Sequence, residues 1–173
     1  MKTIRCTFER HASQILDIFN EAIVTSTALF DYKPRAIESM TAWFKAKESG
    51  EFPVIGIEGD NEQLLGFASY GTFRAWPAYK YSVEHSVYVH KAHRGKGLGR
   101  KLMVELIAAA QDQNYHLLVA GIEASNSGSI ALHESLGFTH SGTLREAGYK
   151  FGRWLDLSFF QLTLPTPVQP SEI

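Results

Sequence analysis

The segment from Val87 to Gly99 constrains this chain more than any other. Val87, Tyr88 and Val89 end a β-branched, period-two run, and Arg94-Gly95-Lys96-Gly97-Leu98-Gly99 follows just before an amphipathic helical pattern. Strand, turn and helix in that order, with three glycines in five residues, turn backbone N–H groups outward at a helix N-terminus, where the macrodipole adds roughly half a positive charge. Arg94, Lys96, Arg100 and Lys101 stand beside it with full charges. The segment reads as a cradle for phosphate or pyrophosphate, the plain alternative being a basic turn that merely starts a surface helix. Spacing excludes two familiar cradles. A P-loop ends in Gly-Lys-Ser/Thr, which is absent, and the dinucleotide fingerprint needs a third glycine where Arg100 stands. The loop also follows an antiparallel hairpin in mid-chain, whereas a Rossmann unit opens with its glycine loop in a parallel sheet.

The rest of the chain narrows the setting. A length of 173 residues, 45% of them hydrophobic, is that of one ordinary globular domain. The formal net charge of -1 lacks the basic excess that nonspecific nucleic-acid binding uses, so any basic site is local. A lone Cys6 permits no internal disulfide and no cysteine-ligated zinc, which fits a reducing compartment. No apolar leader is visible in Met1 to Arg10, and no uncharged run approaches the roughly 20 residues of a bilayer span. A cytoplasmic protein is expected.

Alternation of Ile4, Cys6 and Phe8 predicts a short first strand. Ile15, Ile18, Phe19, Ala22 and Ile23 share one helical face, predicting a helix from Ala12 to Thr25 with Ser13 as its cap. A second helix is predicted over Ala36 to Ser49. The linker between them, Ser26 to Lys33, carries more apolar surface than a solvated loop needs. Pro53 to Glu58 and Leu64 to Gly71 form a predicted hairpin, followed by an aromatic loop, Phe73 to Tyr81, and a strand over Ser82 to His90. The glycine turn opens a helix from Leu98 to about Gln113. Leu117 to Ile122, nearly all apolar, reads as a central strand, and Ser127 to Leu136 as a short helix closed by Gly137. Two strands, about Phe138 to Glu146 and Trp154 to Leu164, complete a domain spanning 1–164. The proline-containing tail, 165–173, is expected to be disordered or docked late.

These residues resemble the GNAT superfamily of acyl-CoA-dependent N-acyltransferases. Its pyrophosphate loop has Arg or Gln, two residues, Gly, one residue, then Gly or Ala, and Arg94, Gly97 and Gly99 match in register. Within the superfamily, Glu84 to Val89 (EHSVYV), Leu132 to Phe138 (LHESLGF) and Gly142 to Asp156 (GTLREAGYKFGRWLD) are similar to the phosphinothricin and methionine sulfoximine acetyltransferase branch. The resemblance implies an α/β (α+β) fold. Its sheet is mixed, mostly antiparallel and twisted, with about seven strands, about four flanking helices and a splay between the fourth and fifth strands. Acetyl-CoA is the implied cosubstrate, with no metal. Its pantetheine arm would meet Tyr88, Val89 and Lys91, its pyrophosphate the segment Arg94, Gly95, Lys96, Gly97, Leu98, Gly99 and Arg100. Asn126 and Ser129 would hold the arm from the short helix, although Asn126 also reads as a simple N-cap.

The implied chemistry is attack of an amine on a thioester. An α-amine of pKa near 8 costs about 1.4 kcal/mol to deprotonate at pH 7, so a modest base suffices. Glu84 matches the family carboxylate on the strand beside the acetyl group, acting through a water, and burial would strengthen it. Many members carry a tyrosine four residues before the Gly-Phe pair to protonate the thiolate. This chain has His133, with Tyr88 as a second candidate acid. His133-Glu134 is not a zincin helix, because Gly137 stands where the second histidine belongs, and no nucleophile elbow is present. Direct attack in a ternary complex is therefore expected.

Arg74 could pair with an acceptor carboxylate, while Phe30, Trp76 and Tyr79 could pack its side chain. The acceptor implied is a small amino acid analogue such as phosphinothricin, methionine sulfoximine or methionine sulfone, bound by a homodimer with no nucleic acid or membrane partner. Acetylation of protein N-termini, or a silent acyl-CoA sensor, are the alternatives.

Overall fold

The computed structural model describes residues 1–173. Seven strands form one sheet in the order β1-β2-β3-β4-β5-β7-β6, where β1 is Lys2–Arg5, β2 Val54–Glu58, β3 Leu64–Thr72, β4 Ser82–Val89, β5 Leu117–Glu123, β6 Thr139–Lys150 and β7 Arg153–Thr163. Helices α1 (Phe8–Thr25) and α2 (Glu38–Ser49) cover one face; α3 (Leu98–Asp112) and α4 (Ser127–Ser135) lie on the other. The sheet is mixed. Every neighbouring pair is antiparallel except β4 and β5.

Two apolar cores follow from strand alternation. Val83, Leu118, Ala120 and Ile122 point toward α3 with Leu98, Leu102 and Leu106. Phe67 and Leu64 point toward α1 and α2, where Ile15, Phe19, Met40 and Phe44 meet them and Phe19 packs edge-on against Phe67 and Tyr88. Burying a side chain of this size contributes about 1.5–3 kcal/mol, which explains why the periodic segments were the legible ones.

The structure corrects several boundaries. The first strand stops at Arg5, and α1 begins at Phe8, so Ser13 lies inside the helix rather than at its start. Thr7 is the cap residue. Its backbone N–H donates to Nδ1 of His11 at 2.9 Å while its carbonyl accepts from the His11 N–H at 3.0 Å, a reciprocal cap made by a buried histidine. Phe8 mimics the strand period because it packs edge-on against Phe44. Helix α2 begins at Glu38, two residues later than its sequence pattern. Strand β6 runs four residues beyond Glu146, to Lys150, where Phe151 and Gly152 turn with φ of 52° and 74°, the left-handed pair that a tight hairpin uses. Irregular register between His140 and Gly142 and between Leu144 and Gly148 absorbs the extra length.

Two fastenings position the site. Lys150, buried at the tip of β6, donates to the carbonyls of Ile23, Ser26 and Leu29, pinning the α1–α2 linker. The tail is docked: the Tyr81 hydroxyl bonds the backbone of Ser171, and Thr166 bonds Tyr115 and His116.

Candidate active site

Strands β4 and β5 pair through only three positions, Ser82 with Leu117, Val83 with Leu118 and Glu84 with Val119, and then part. Beyond Glu84 the facing backbone groups of the two strands have no ladder partner across the gap. That gap opens a cleft of about 550 Å³, in the range of small-molecule sites.

The glycine loop closes one end of the cleft. Gly95 and Gly97 both have φ of 76°, and a Cβ at either would meet nothing within 4 Å. Both glycines line the cleft at the start of α3, where Gly97 is the cap residue. Gly99 has a different reason to be glycine: a Cβ there would lie 3.3 Å from Cδ2 of Leu132, so its bareness lets α3 approach α4. Tyr88, Val89, Arg94, Leu98, Arg100, Asn126 and Ser129 line the cleft together with these glycines. Lys91 and Lys96 do not line it. Lys96 donates to the carbonyl of Ala92 at 3.3 Å. The Arg94 guanidinium is also turned aside, ion-paired with Glu21 of α1 and bonded through Nε to the Val89 carbonyl at 3.1 Å. Arg94 thereby clamps the loop to α1. Asn126 caps α4, its Oδ1 accepting from the Ser129 N–H at 3.1 Å.

Glu84 sits at the fork, on the α1–α2 side, with its carboxylate reaching toward β5: Oε1 lies 3.2 Å from where a Cβ on Gly121 would be. Burial raises its pKa above the usual carboxylate value and the Arg74 guanidinium opposes the shift. His133 faces the cleft from α4, on the opposite side of the sheet, 2% exposed. Both its ring nitrogens are engaged, Nδ1 with the Ser129 carbonyl at 2.7 Å and Nε2 with Nε2 of His85 at 2.9 Å. Burial lowers its pKa. Tyr88 keeps its proton at neutral pH, burial pushing the hydroxyl up to about 12.

The proposed acceptor residues are scattered by comparison. Arg74 stacks on the Phe73 ring and donates to the Phe73 carbonyl, Tyr79 packs edge-on against Phe73, and Trp76 is exposed. Phe30 lies over Gly148, where a Cβ would sit 2.6 Å from its ring, and no ring contact joins it to Trp76 or Tyr79. No three His, Cys, Asp or Glu side chains converge on a metal position.

Two cleft residues escaped the sequence reading. His85 lay inside a quoted motif, and its inward direction was legible from the period of β4. Glu123 is buried at the end of β5, accepting from Thr27 Oγ1 at 3.0 Å and from the Ser125 hydroxyl, with Arg153 3.9 Å from its other oxygen. A carboxylate closing an apolar strand was its only signal.

Residues 4–158 match the acetyltransferase (GNAT) domain family. The chain is 42% identical over 168 residues to the L-methionine sulfoximine/L-methionine sulfone acetyltransferase of Salmonella typhimurium, covering 97% of this chain and 98% of that protein. It is 40% identical over 171 residues to the L-amino acid N-acyltransferase MnaT of Escherichia coli, covering 99% of each. The crystal structure of a GNAT superfamily phosphinothricin acetyltransferase from Sinorhizobium meliloti in complex with acetyl-CoA superposes with a TM-score of 0.92 at 28% identity, covering 98% of this chain and 91% of that one. With a family model matching most of its length and relatives aligned from end to end, the chain belongs to the GNAT family of N-acetyltransferases.

Proposed function

We propose that the protein transfers the acetyl group of acetyl-CoA to the α-amine of a small amino acid analogue, methionine sulfoximine, methionine sulfone or phosphinothricin, by direct attack in a ternary complex. One observation carries this reading: Glu84, a carboxylate whose pKa burial raises, stands at the fork where the cleft begins. The names of relatives along the whole chain support the acceptor class. In the proposed reaction the amides of 95–99 and the end of α3 hold the pyrophosphate. Glu84 takes a proton from the acceptor amine through a water. The neutral amine attacks the thioester carbonyl, the amide forms, and the C–S bond breaks. Tyr88 and His133 are the two side chains lining the cleft that could meet the departing thiolate, and His133 would first have to release one of its ring hydrogen bonds. Arg74 is assigned to the acceptor carboxylate, Phe30, Trp76 and Tyr79 to its side chain.

The same reading has the enzyme acting in the cytoplasm as a homodimer. Its physical support is the exposed aromatic surface of the β6–β7 hairpin, Tyr149, Phe151 and Trp154, which a second copy would cover. No helix is long and apolar enough to cross a membrane.

Free-thiol release from acetyl-CoA tests the assignment, with methionine sulfoximine, methionine sulfone, phosphinothricin, spermidine and an N-terminal peptide as acceptors. Release with the amino acid analogues alone is expected. Preference for the peptide, or silence despite CoA binding, would overturn it.

Gly121 supplies a second check. A methyl group there would press on Glu84 Oε1 from 3.2 Å, and the carboxylate would have to shift to admit it. Gly121→Ala is expected to lower kcat about tenfold and move the acid limb of the pH profile upward, since further desolvation raises a carboxyl pKa. An unchanged limb in steady-state assays would show that Glu84 and Gly121 are not coupled.

A further inference from the structure

Nδ1 of His85 is the one buried side-chain nitrogen or oxygen in the protein without a hydrogen-bond partner. Such an orphan is unfavourable to bury and calls for an explanation. His85 lines the cleft from β4, and its ring stacks on that of His133 with centroids 5.1 Å apart and planes 24° from parallel. Phe138 packs against both rings and fixes their pose.

The hydrogen-bond pattern determines where the protons are. The Ser129 carbonyl can only accept, so Nδ1 of His133 carries a hydrogen. In a neutral His133, Nε2 is then a lone pair, and the 2.9 Å contact requires His85 to donate from its own Nε2. His85 Nδ1 is left bare. Burial, and after it the neighbouring His133, pull His85 down to about 3 against the opposing effect of the Val119 backbone on β5, which lies beside the ring. The other ionisable side chains lining the cleft are Tyr88 from β4, His93 and Arg94 from the loop after it, Arg100 from α3 and Glu123 from β5. None hydrogen-bonds to the pair: Arg94 pairs with Glu21, Arg100 with Ser135, and Glu123 with Thr27.

We propose that His85 is a positioning residue of the acyl-transfer site: it holds His133 as the Nδ1–H tautomer, and the pair offers acyl-CoA, or a water bound with it, one lone pair at His85 Nδ1. The proposal rests on acetyl-CoA occupying this cleft. It has a chemical consequence. While the His85–His133 bond stands, the pair accepts a hydrogen bond and has no proton for the thiolate, so of the two candidate acids Tyr88 is the one that retains a proton.

Long-range ¹H–¹⁵N spectra of histidine-labelled protein, free and with CoA, read the tautomers directly. The free protein is expected to show His133 neutral at pH 7 as Nδ1–H, and CoA is expected to shift His85 Nδ1 in the direction of an accepted hydrogen bond. His85→Leu should let His133 titrate and weaken CoA binding about tenfold, the loss of one buried hydrogen bond. His85→Gln keeps an N–H for His133 and an oxygen in place of Nδ1, and should restore the Nδ1–H tautomer and most of the affinity. A wild-type His133 that titrates near pH 6.5 or carries its proton on Nε2 overturns the proposal, even if the Leu variant does not fold. So does a Leu variant with unchanged tautomer and affinity and only a lower Tm. Failure of wild-type protein to bind CoA would sink the acetyltransferase reading as well, whereas CoA binding with a titrating His133 removes this proposal alone.

Discussion

Glu84→Gln is expected to lower kcat for methionine sulfoximine by about 10²–10⁴-fold, the usual contribution of a positioned general base, while the Kd for acetyl-CoA stays within about twofold. Glutamine preserves the shape at the fork and its contact with Gly121 but cannot accept a proton. The pH dependence separates this loss from a packing defect. In the wild type, activity falls as pH drops through the Glu84 pKa, because the protonated carboxyl is no base. Burial places that limb above the ordinary carboxylate value of 4.5. The variant should lack it. Stability moves in the other direction. A carboxyl whose folded pKa is raised binds more protons folded than unfolded, so the ionised form costs stability above that pKa. The variant should therefore melt no lower than wild type at neutral pH. A variant with wild-type rate and wild-type limb would remove Glu84 from the mechanism.

Gly97→Val should weaken acetyl-CoA binding by about 100-fold. With φ of 76°, this position holds a left-handed conformation that a β-branched residue resists, and the space around its missing Cβ is open toward the loop's anion-binding side. Hydrogen bonds to a charged group contribute about 1.5–3 kcal/mol each, so disturbing one or two amides of the cradle corresponds to roughly two decades in Kd. The cost to the fold is smaller, about 1–2 kcal/mol from the backbone strain. Calorimetric titration and thermal melts measure the two effects separately. An affinity unchanged beside a lowered Tm would mean that the loop does not hold the pyrophosphate.

Legibility in the sequence followed how each feature is encoded. The amphipathic helices, the apolar β5 run and the glycine loop are local patterns, and their elements appear within a few residues of expectation. The start of α1 was misread because His11, a polar residue, is buried as part of a cap, and no hydrophobic period reports a cap of that kind. The length of β6 depended on irregular register and on a left-handed Phe151-Gly152 turn, neither of which lies in the alternation. At the site, Glu84, His133 and the loop were accessible through motif and spacing. The His85–His133 bond joins residues 48 apart in the chain, and Glu123 meets Thr27 across 96. Such pairings are properties of the folded topology. Arg94 shows the reverse case: its charge was plain in the sequence, but its engagement by Glu21 depends on α1 passing beside the loop.

The sheet also acts as a partition. Glu84 and the linker pinned by Lys150 lie on the α1–α2 side, whereas the glycine loop, Asn126 and the histidine pair lie on the α3–α4 side, and the gap between β4 and β5 opens one half to the other. A lineage can therefore remodel one compartment by exchanging loop residues that Lys150 holds through backbone carbonyls alone, whatever their side chains. The donor compartment is left untouched by such drift.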